Sequence, residues 1–158
     1  MIWSAPIVEG ARRGEAGVLA EIHAAAFRRT WSALDFSALI ADPSVFALVA
    51  RQKSLFGRRR VACFVVVRFA ADEAEILTIA VRPKLRKRGI GRLLMHDVIR
   101  RLYRERIASL FLEVEAGNAA AVALYRKLGF AVAGGRKNYY SEPAHGDPGA
   151  LVMRLQVR

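Results

Sequence analysis

The 158-residue chain has a single cysteine, Cys63. One thiol cannot close an intramolecular disulfide, so the core must hold the fold and a reducing compartment is expected. Set mid-strand with no histidine near it in sequence, Cys63 reads as a small core residue. No uncharged apolar run approaches the roughly 18 residues a membrane span requires. The opening residues, MIWSAPIVEG, lack a basic start followed by an apolar block, so no signal peptide, no membrane partner and a cytoplasmic location are expected. The three histidines, His23, His96 and His145, fall on separate predicted elements without ligand spacing, so no metal is expected. Ser109 and Ser141 lack the glycine frame of a nucleophile elbow. There is no repeat, low-complexity stretch or linker, and residues 1–158 are expected to form one domain.

Acidic residues are scarce too, 14 against 26 lysines and arginines, a net charge of +12. Such an excess permits nucleic acid, a ribonucleoprotein, acidic lipid or a polyphosphate ligand as partner and selects none of them. The cations run from Arg12 to Arg158 rather than in one block; Arg58-Arg59-Arg60 reads as a solvated loop tip.

Against these absences stands Leu77–Met95, LTIAVRPKLRKRGIGRLLM. The β-branched run from Ile76 to Val81 predicts a buried strand, which Pro83 ends because it has no N–H and a fixed φ. A basic turn, Lys84 to Arg88, leads through Gly89-Ile90-Gly91 into residues with helical apolar spacing: Ile90, Leu93, Leu94, Val98, Ile99 and Leu102. Strand, basic glycine turn and helix together make an anion site, because the backbone N–H groups of a helix N-terminus face outward beside cations. The turn is not the dinucleotide fingerprint, since position 94 is leucine, and it is no Walker loop, since Gly-Lys-Ser/Thr is missing.

Upstream, Trp3–Val8 predicts a first strand, held to a sheet edge by Pro6. Glu15–Phe27 predicts a helix with Val18, Leu19, Ile22, Ala26 and Phe27 on its apolar face. A second helix begins at Ser32, capped with Asp35, and stops near Asp42-Pro43. Val45–Arg51 and Val61–Phe69 predict strands. Downstream, Ser109–Glu115 alternates, with Leu110, Leu112 and Val114 on one face and Phe111, Glu113 and Glu115 on the other. Asn118 caps a helix whose buried face is Ala121, Leu124, Tyr125 and Leu128, and Gly129 ends it. Phe130–Val132 and Leu151–Val157 read as closing strands. Four helices among about seven strands place the chain in the α/β or α+β class with a mixed sheet.

Two blocks carry a resemblance. Ile79-Ala80-Val81 followed by Arg86-Lys87-Arg88-Gly89-Ile90-Gly91-Arg92 is similar to the acetyl-CoA motif of the GNAT-superfamily N-acetyltransferases. Leu112-Glu113-Val114, Asn118 to Ala121 and Leu124 to Phe130 are similar to that superfamily's other defining block. With Asn138-Tyr139-Tyr140 and the early AFRRTWS segment, the chain most resembles the RimI-type ribosomal-protein alanine N-acetyltransferases. The resemblance implies a mixed, mostly antiparallel sheet of about seven strands flanked by about four helices, and acetyl-CoA as co-substrate. It implies that Lys87, Arg88, Gly89, Ile90, Gly91 and Arg92 hold the CoA pyrophosphate with Arg86 beside them, and that Ile79, Ala80 and Val81 bind pantetheine and the thioester carbonyl. Asn118 would be a polar group on the CoA side or holding water. Glu113 would be the general base and Tyr125 the general acid, while Trp31, Tyr139 and Tyr140 would line the acceptor's entry.

The chain departs from that branch at Glu115, often basic there, and at Arg82, often acidic, which is expected to add charge near the cofactor; Glu142–Gly149 has no assigned role. An α-amino group is about a tenth neutral at pH 7, lysine on the order of a thousandth, so a site with one carboxylate base suits a protein N-terminus, such as that of a ribosomal protein. Two readings stand beside it. One is a small-molecule amine or internal lysine as acceptor; the other is a basic nucleic-acid-binding module, which leaves the second block unexplained. A ribosomal acceptor would bring RNA beside the positive surface.

Overall fold

The computed structural model describes residues 5–53, 56–133 and 149–158. In chain order the elements are β1 (Ile7–Gly10), α1 (Ala16–Ala26), α2 (Ala33–Ala41), β2 (Val45–Lys53), β3 (Arg59–Ala70), β4 (Glu73–Val81), α3 (Ile90–Arg104), β5 (Ser109–Glu115), α4 (Ala119–Lys127), β6 (Ala131–Val132) and β7 (Ala150–Gln156). Among the described residues seven strands form one sheet ordered β1-β2-β3-β4-β5-β7-β6. Every neighbouring pair is antiparallel except β4 and β5, which α3 joins by a crossover. This is the mixed, mostly antiparallel α/β architecture expected. Among the described residues no helix is long and apolar enough to cross a membrane.

Local chemistry sets the element ends. The Ser32 hydroxyl accepts the Asp35 N–H at 3.1 Å while the Asp35 carboxylate accepts the Ser32 N–H at 2.8 Å, so two orphan donors of α2 are satisfied reciprocally. Asp42, ahead of Pro43, leaves the helical region and ends that helix. Gly129 takes φ +103° after α4, a left-handed conformation that glycine alone adopts without strain.

Three expectations need correction. The first strand starts at Ile7 rather than Trp3: Pro6 cannot donate to the ladder, and Trp3 and Ser4 lie outside the described residues. Its place at the sheet edge is as expected. Arg59 and Arg60 are in β3, not a loop tip, because β2 runs on to Lys53 and pairs Gln52 with Arg60 and Lys53 with Arg59. In α4, Tyr125 is the one buried residue; Ala121, Leu124 and Leu128 pack against the same core but are only partly covered.

Helices cover both faces. On one, α3 puts Leu94, Met95, Val98 and Leu102 against Val65, Leu110, Leu112 and Met153. On the other, Leu19 and Ile22 of α1 and Phe36 of α2 pack against Val49, Phe64 and Val66. The edge strand is fastened by Arg51, only 7% exposed, whose guanidinium donates to both carboxylate oxygens of Glu15, at 2.6 and 2.7 Å, and to Glu9 at 3.0 Å.

The feature that shapes the site is a bulge in β4. Val66 pairs with Thr78 and Val67 with Ile76, so Leu77 is an extra residue. The faces exchange there: Ile76 and, past the bulge, Ile79 and Val81 pack on the α3 side, while Leu77 and Ala80 pack on the α1–α2 side.

Candidate active site

β4 and β5 pair at only three positions, Glu73 with Ser109, Ala74 with Leu110 and Glu75 with Phe111. Beyond them the strands part. The bulge at Leu77 bends β4 away, while β5 stays registered with β7 from Ser109 to Glu115. Along Ile76–Val81, alternate N–H and C=O groups turn away from β3 toward a side where, among the described residues, no strand receives them. The gap is a cleft of about 990 Å³, walled by Ile76–Ile79 of β4, Leu112–Glu115 of β5, residues of α4 and the segment following α1.

The α3 N-terminus stands at the far end of β4. Gly89 has φ +78° and Lys87 φ +63°, so the turn is tightly coiled just before the helix. The Leu93 N–H is bonded to the Gly89 carbonyl at 3.0 Å, which leaves the N–H groups of Ile90, Gly91 and Arg92 at the open helix end. Arg86, Lys87, Arg88 and Arg92 are exposed around it. These residues fit a pyrophosphate in one testable respect. A Cβ on Gly91 would have room, meeting only Val81 Cγ2 at 3.5 Å, so packing does not demand glycine. Alanine is favoured over glycine in a helix interior by about 1 kcal/mol, so neither packing nor helix propensity accounts for glycine here. Arg82 is not part of this charge: its Nε donates to the Val61 carbonyl at 2.6 Å and its Nη1 to Glu21 at 3.2 Å, correcting the expectation that it adds charge near the cofactor.

Glu113 and Tyr125 reach the cleft from opposite faces of the sheet. Glu113 is exposed on β5, away from Leu112 and Val114, which face α3. Tyr125, 7% exposed, rises from α4 within the α3-side cluster, edge-to-face with Phe130 at 5.7 Å. Burial, helped by the Cys63 thiol, pushes its hydroxyl up to about 12, so it is protonated at any physiological pH. Cys63 is itself fully buried, with its thiol pushed up to about 12 by burial, as befits a core residue.

Asn118 lines the cleft; its side-chain oxygen accepts the Ala121 N–H at 3.2 Å, so one of its lone pairs is spent on the cap and the amide N–H₂ takes no part in it. Ile79 and Trp31 line the cleft; Ala80 is buried against α1 and α2, and Val81 with the 86–92 turn lies past the lining. Tyr139, Tyr140 and residues 142–148 fall outside the described residues.

Sequence reasoning missed two residues here. His23, weighed only as a metal ligand, is buried in the cleft wall among Phe27, Trp31 and Phe36, stacked on Trp31 at 5.1 Å. Its Nδ1 accepts the Trp31 N–H at 3.3 Å, which puts the ring proton on Nε2, and burial lowers its pKa and keeps it neutral. The aromatic spacing His23, Phe27, Trp31 was the available signal. Thr78 is the other; it read as one more β-branched strand residue. Among the described residues no cluster of His, Cys, Asp and Glu could hold a metal ion.

Comparison with known proteins agrees with this geometry. A model of the acetyltransferase (GNAT) family matches residues 18–130, from α1 through α4. The [ribosomal protein bS18]-alanine N-acetyltransferase of Salmonella typhimurium is 43% identical over 98 residues, covering 62% of this chain and 66% of that protein, just under two thirds of its length. The crystal structure of the Escherichia coli ribosomal-protein-S18-alanine N-acetyltransferase superposes with a TM-score of 0.77 at 30% identity, covering 96% of this chain and 94% of the other. The PaiA N-acetyltransferase of Thermoplasma acidophilum, solved with coenzyme A, shares the fold at 15% identity, with a TM-score of 0.76 over 97% and 99% of the two chains. Parted strands, a glycine-framed helix end and a match over most of its length make this chain a member of the acetyltransferase (GNAT) family.

Proposed function

We propose that the protein transfers the acetyl group of acetyl-CoA to the N-terminal α-amino group of a protein, with an alanine N-terminus of a ribosomal protein as the favoured acceptor. The observation that carries the reading is the parted β4–β5 seam with a carboxylate on one face and a protonated tyrosine on the other. The acceptor class follows the ribosomal-protein alanine acetyltransferases that the chain resembles. Such an acceptor sits in the cytoplasm beside ribosomal RNA, which gives the net charge of +12 a partner without making the chain a nucleic-acid-binding module.

In this mechanism the N–H groups of Ile90, Gly91 and Arg92 take the pyrophosphate, with Arg86, Lys87, Arg88 and Gly89 shaping and charging the turn. The open edge at Ile79, Ala80 and Val81 offers backbone donors to pantetheine and to the thioester carbonyl, and Asn118 offers its amide N–H₂ at the opposite wall. Acetyl-CoA supplies an acyl carbon already activated by sulfur. Glu113 accepts the proton that the amine releases as its nitrogen bonds that carbon, directly or through water. Tyr125 gives its proton to the departing sulfur as the carbon–sulfur bond breaks, so the products are an amide and a thiol. Trp31 lines the acceptor's entry.

The test is incubation with acetyl-CoA and three acceptors: a peptide beginning in alanine, one with a blocked N-terminus and an internal lysine, and a small polyamine. Mass gain on the alanine peptide alone is expected; gain on the lysine or polyamine alone would move the acceptor class, and none on any would end the reading. Glu113→Gln is expected to lower turnover about a hundredfold while coenzyme A binds as before.

A further inference from the structure

Thr78 is 6% exposed and its hydroxyl has no hydrogen-bond partner among the described residues. A buried hydroxyl without a partner is costly, and valine, of nearly the same shape, would fill the same strand position without that cost. The position explains the hydroxyl. Thr78 pairs with Val66, which packs on the α1–α2 side, so Thr78 looks to that face; it lines the cleft within the parted part of the seam. Glu113 lies on the same face of the opposite wall, and His23 and Trp31 close that side. The bulge at Leu77 turns the threonine to this face; an unbulged β4 would present it with Ile76 to α3.

We propose that the Thr78 hydroxyl binds the acceptor amine, accepting one of its N–H groups so that the other is directed to Glu113. A neutral primary amine has two N–H groups and one lone pair. If Thr78 takes one hydrogen and Glu113 the other, the lone pair is left for the acyl carbon. Thr78 exchanges no proton; its partner N–H remains on the amide that forms. The residue thereby selects primary over secondary amines. This rests on the reading that the cleft acetylates an amine, and it assigns the recognition of that amine to a residue outside the base and acid pair.

The test compares wild type, Thr78→Val and Thr78→Ser on two peptides, one beginning in alanine and one in N-methylalanine, with melting temperature and coenzyme A affinity measured on each protein. Thr78→Val is expected to lose roughly ten- to fiftyfold in kcat/KM on the alanine peptide, the worth of one hydrogen bond made only with acceptor bound, while coenzyme A affinity is unchanged. Its melting temperature should hold or rise, since a costly group has been removed; Thr78→Ser should keep most of the activity. The N-methyl peptide should be a poor acceptor for wild type, and the gap between the two peptides should shrink in Thr78→Val, which a purely structural role would not produce. Equal kcat/KM for wild type and Thr78→Val on the alanine peptide, or an undiminished gap, overturns the assignment while leaving the acetyl-transfer reading intact. A lowered melting temperature in Thr78→Val overturns it too, by showing that the hydroxyl has a partner in the free protein. A wild type inactive on both peptides overturns that reading and the assignment with it.

Discussion

If Tyr125 is the proton donor, its burial predicts the shape of the pH profile. The residue is 7% exposed, and burial first, then the Cys63 thiol, pushes its hydroxyl from an ordinary value near 10 to about 12. The acid acts in its protonated form, so raising its pKa extends the active range upward. At pH 10 an ordinary tyrosine would be about half ionised, whereas one titrating near 12 would be about 1% ionised. With an alanine peptide, kcat/KM should rise through about pH 8 as the acceptor amine loses its proton, then stay flat to about pH 10.5. The assay is initial-rate acetylation from about pH 6 to 10.5, corrected for alkaline hydrolysis of the thioester. Tyr125→Phe should lower the curve roughly a hundred- to a thousandfold at every pH without changing its form, since general acids contribute about 10²–10⁴. An alkaline fall centred near pH 10 in wild type, or full activity in Tyr125→Phe, would refute the reasoning.

Three further outcomes are expected. Gly91→Ala should hold or slightly raise the melting temperature, since a Cβ there has ordinary clearance from Val81, yet weaken coenzyme A about tenfold by calorimetry; unchanged affinity would remove Gly91 from the cradle. Arg51→Met should cost roughly 2–4 kcal/mol in denaturant unfolding, because Glu15 and Glu9 lose their shared partner. Arg51 holds the Glu15 carboxyl below its usual value of 4.5, so its contribution is present above that pH and is lost as pH falls through the lower folded value; Arg51→Met should flatten that acid limb. Cys63, 0% exposed with its thiol pushed up to about 12, should ignore a disulfide-exchange reagent in the native protein and react once in denaturant; rapid native labelling would place it elsewhere.

How far the sequence could be read depended on whether the signal was local. β5 was legible to the residue, because alternation over Ser109–Glu115 is the periodicity itself and it separates Glu113 from the core leucines. Ser32 and Asn118 were legible as caps, because a cap is a contact three residues long. The bulge at Leu77 was not, since an uninterrupted β-branched run looks the same with or without an extra residue, and only the register against β3 reveals it. Thr78 shared that fate: its meaning depends on which face it takes. Arg82 resembled its basic neighbours until Val61 and Glu21, both distant in sequence, claimed its guanidinium.

The three-residue parallel strip between Glu73–Glu75 and Ser109–Phe111 also has a mechanical meaning. It makes the sheet two well-knit ladders, β1 to β4 and β5 with β6 and β7, stitched edge to edge over a short seam and spanned by α3. Sub-global opening should follow that seam, so amide hydrogens on the inner edge of β4 should exchange sooner than those facing β3. A ligand gripping both walls would act as the missing stitches. It would slow exchange along Ile76–Val81 and couple the unfolding of the two ladders, so that occupancy sets how far the protein behaves as one cooperative unit.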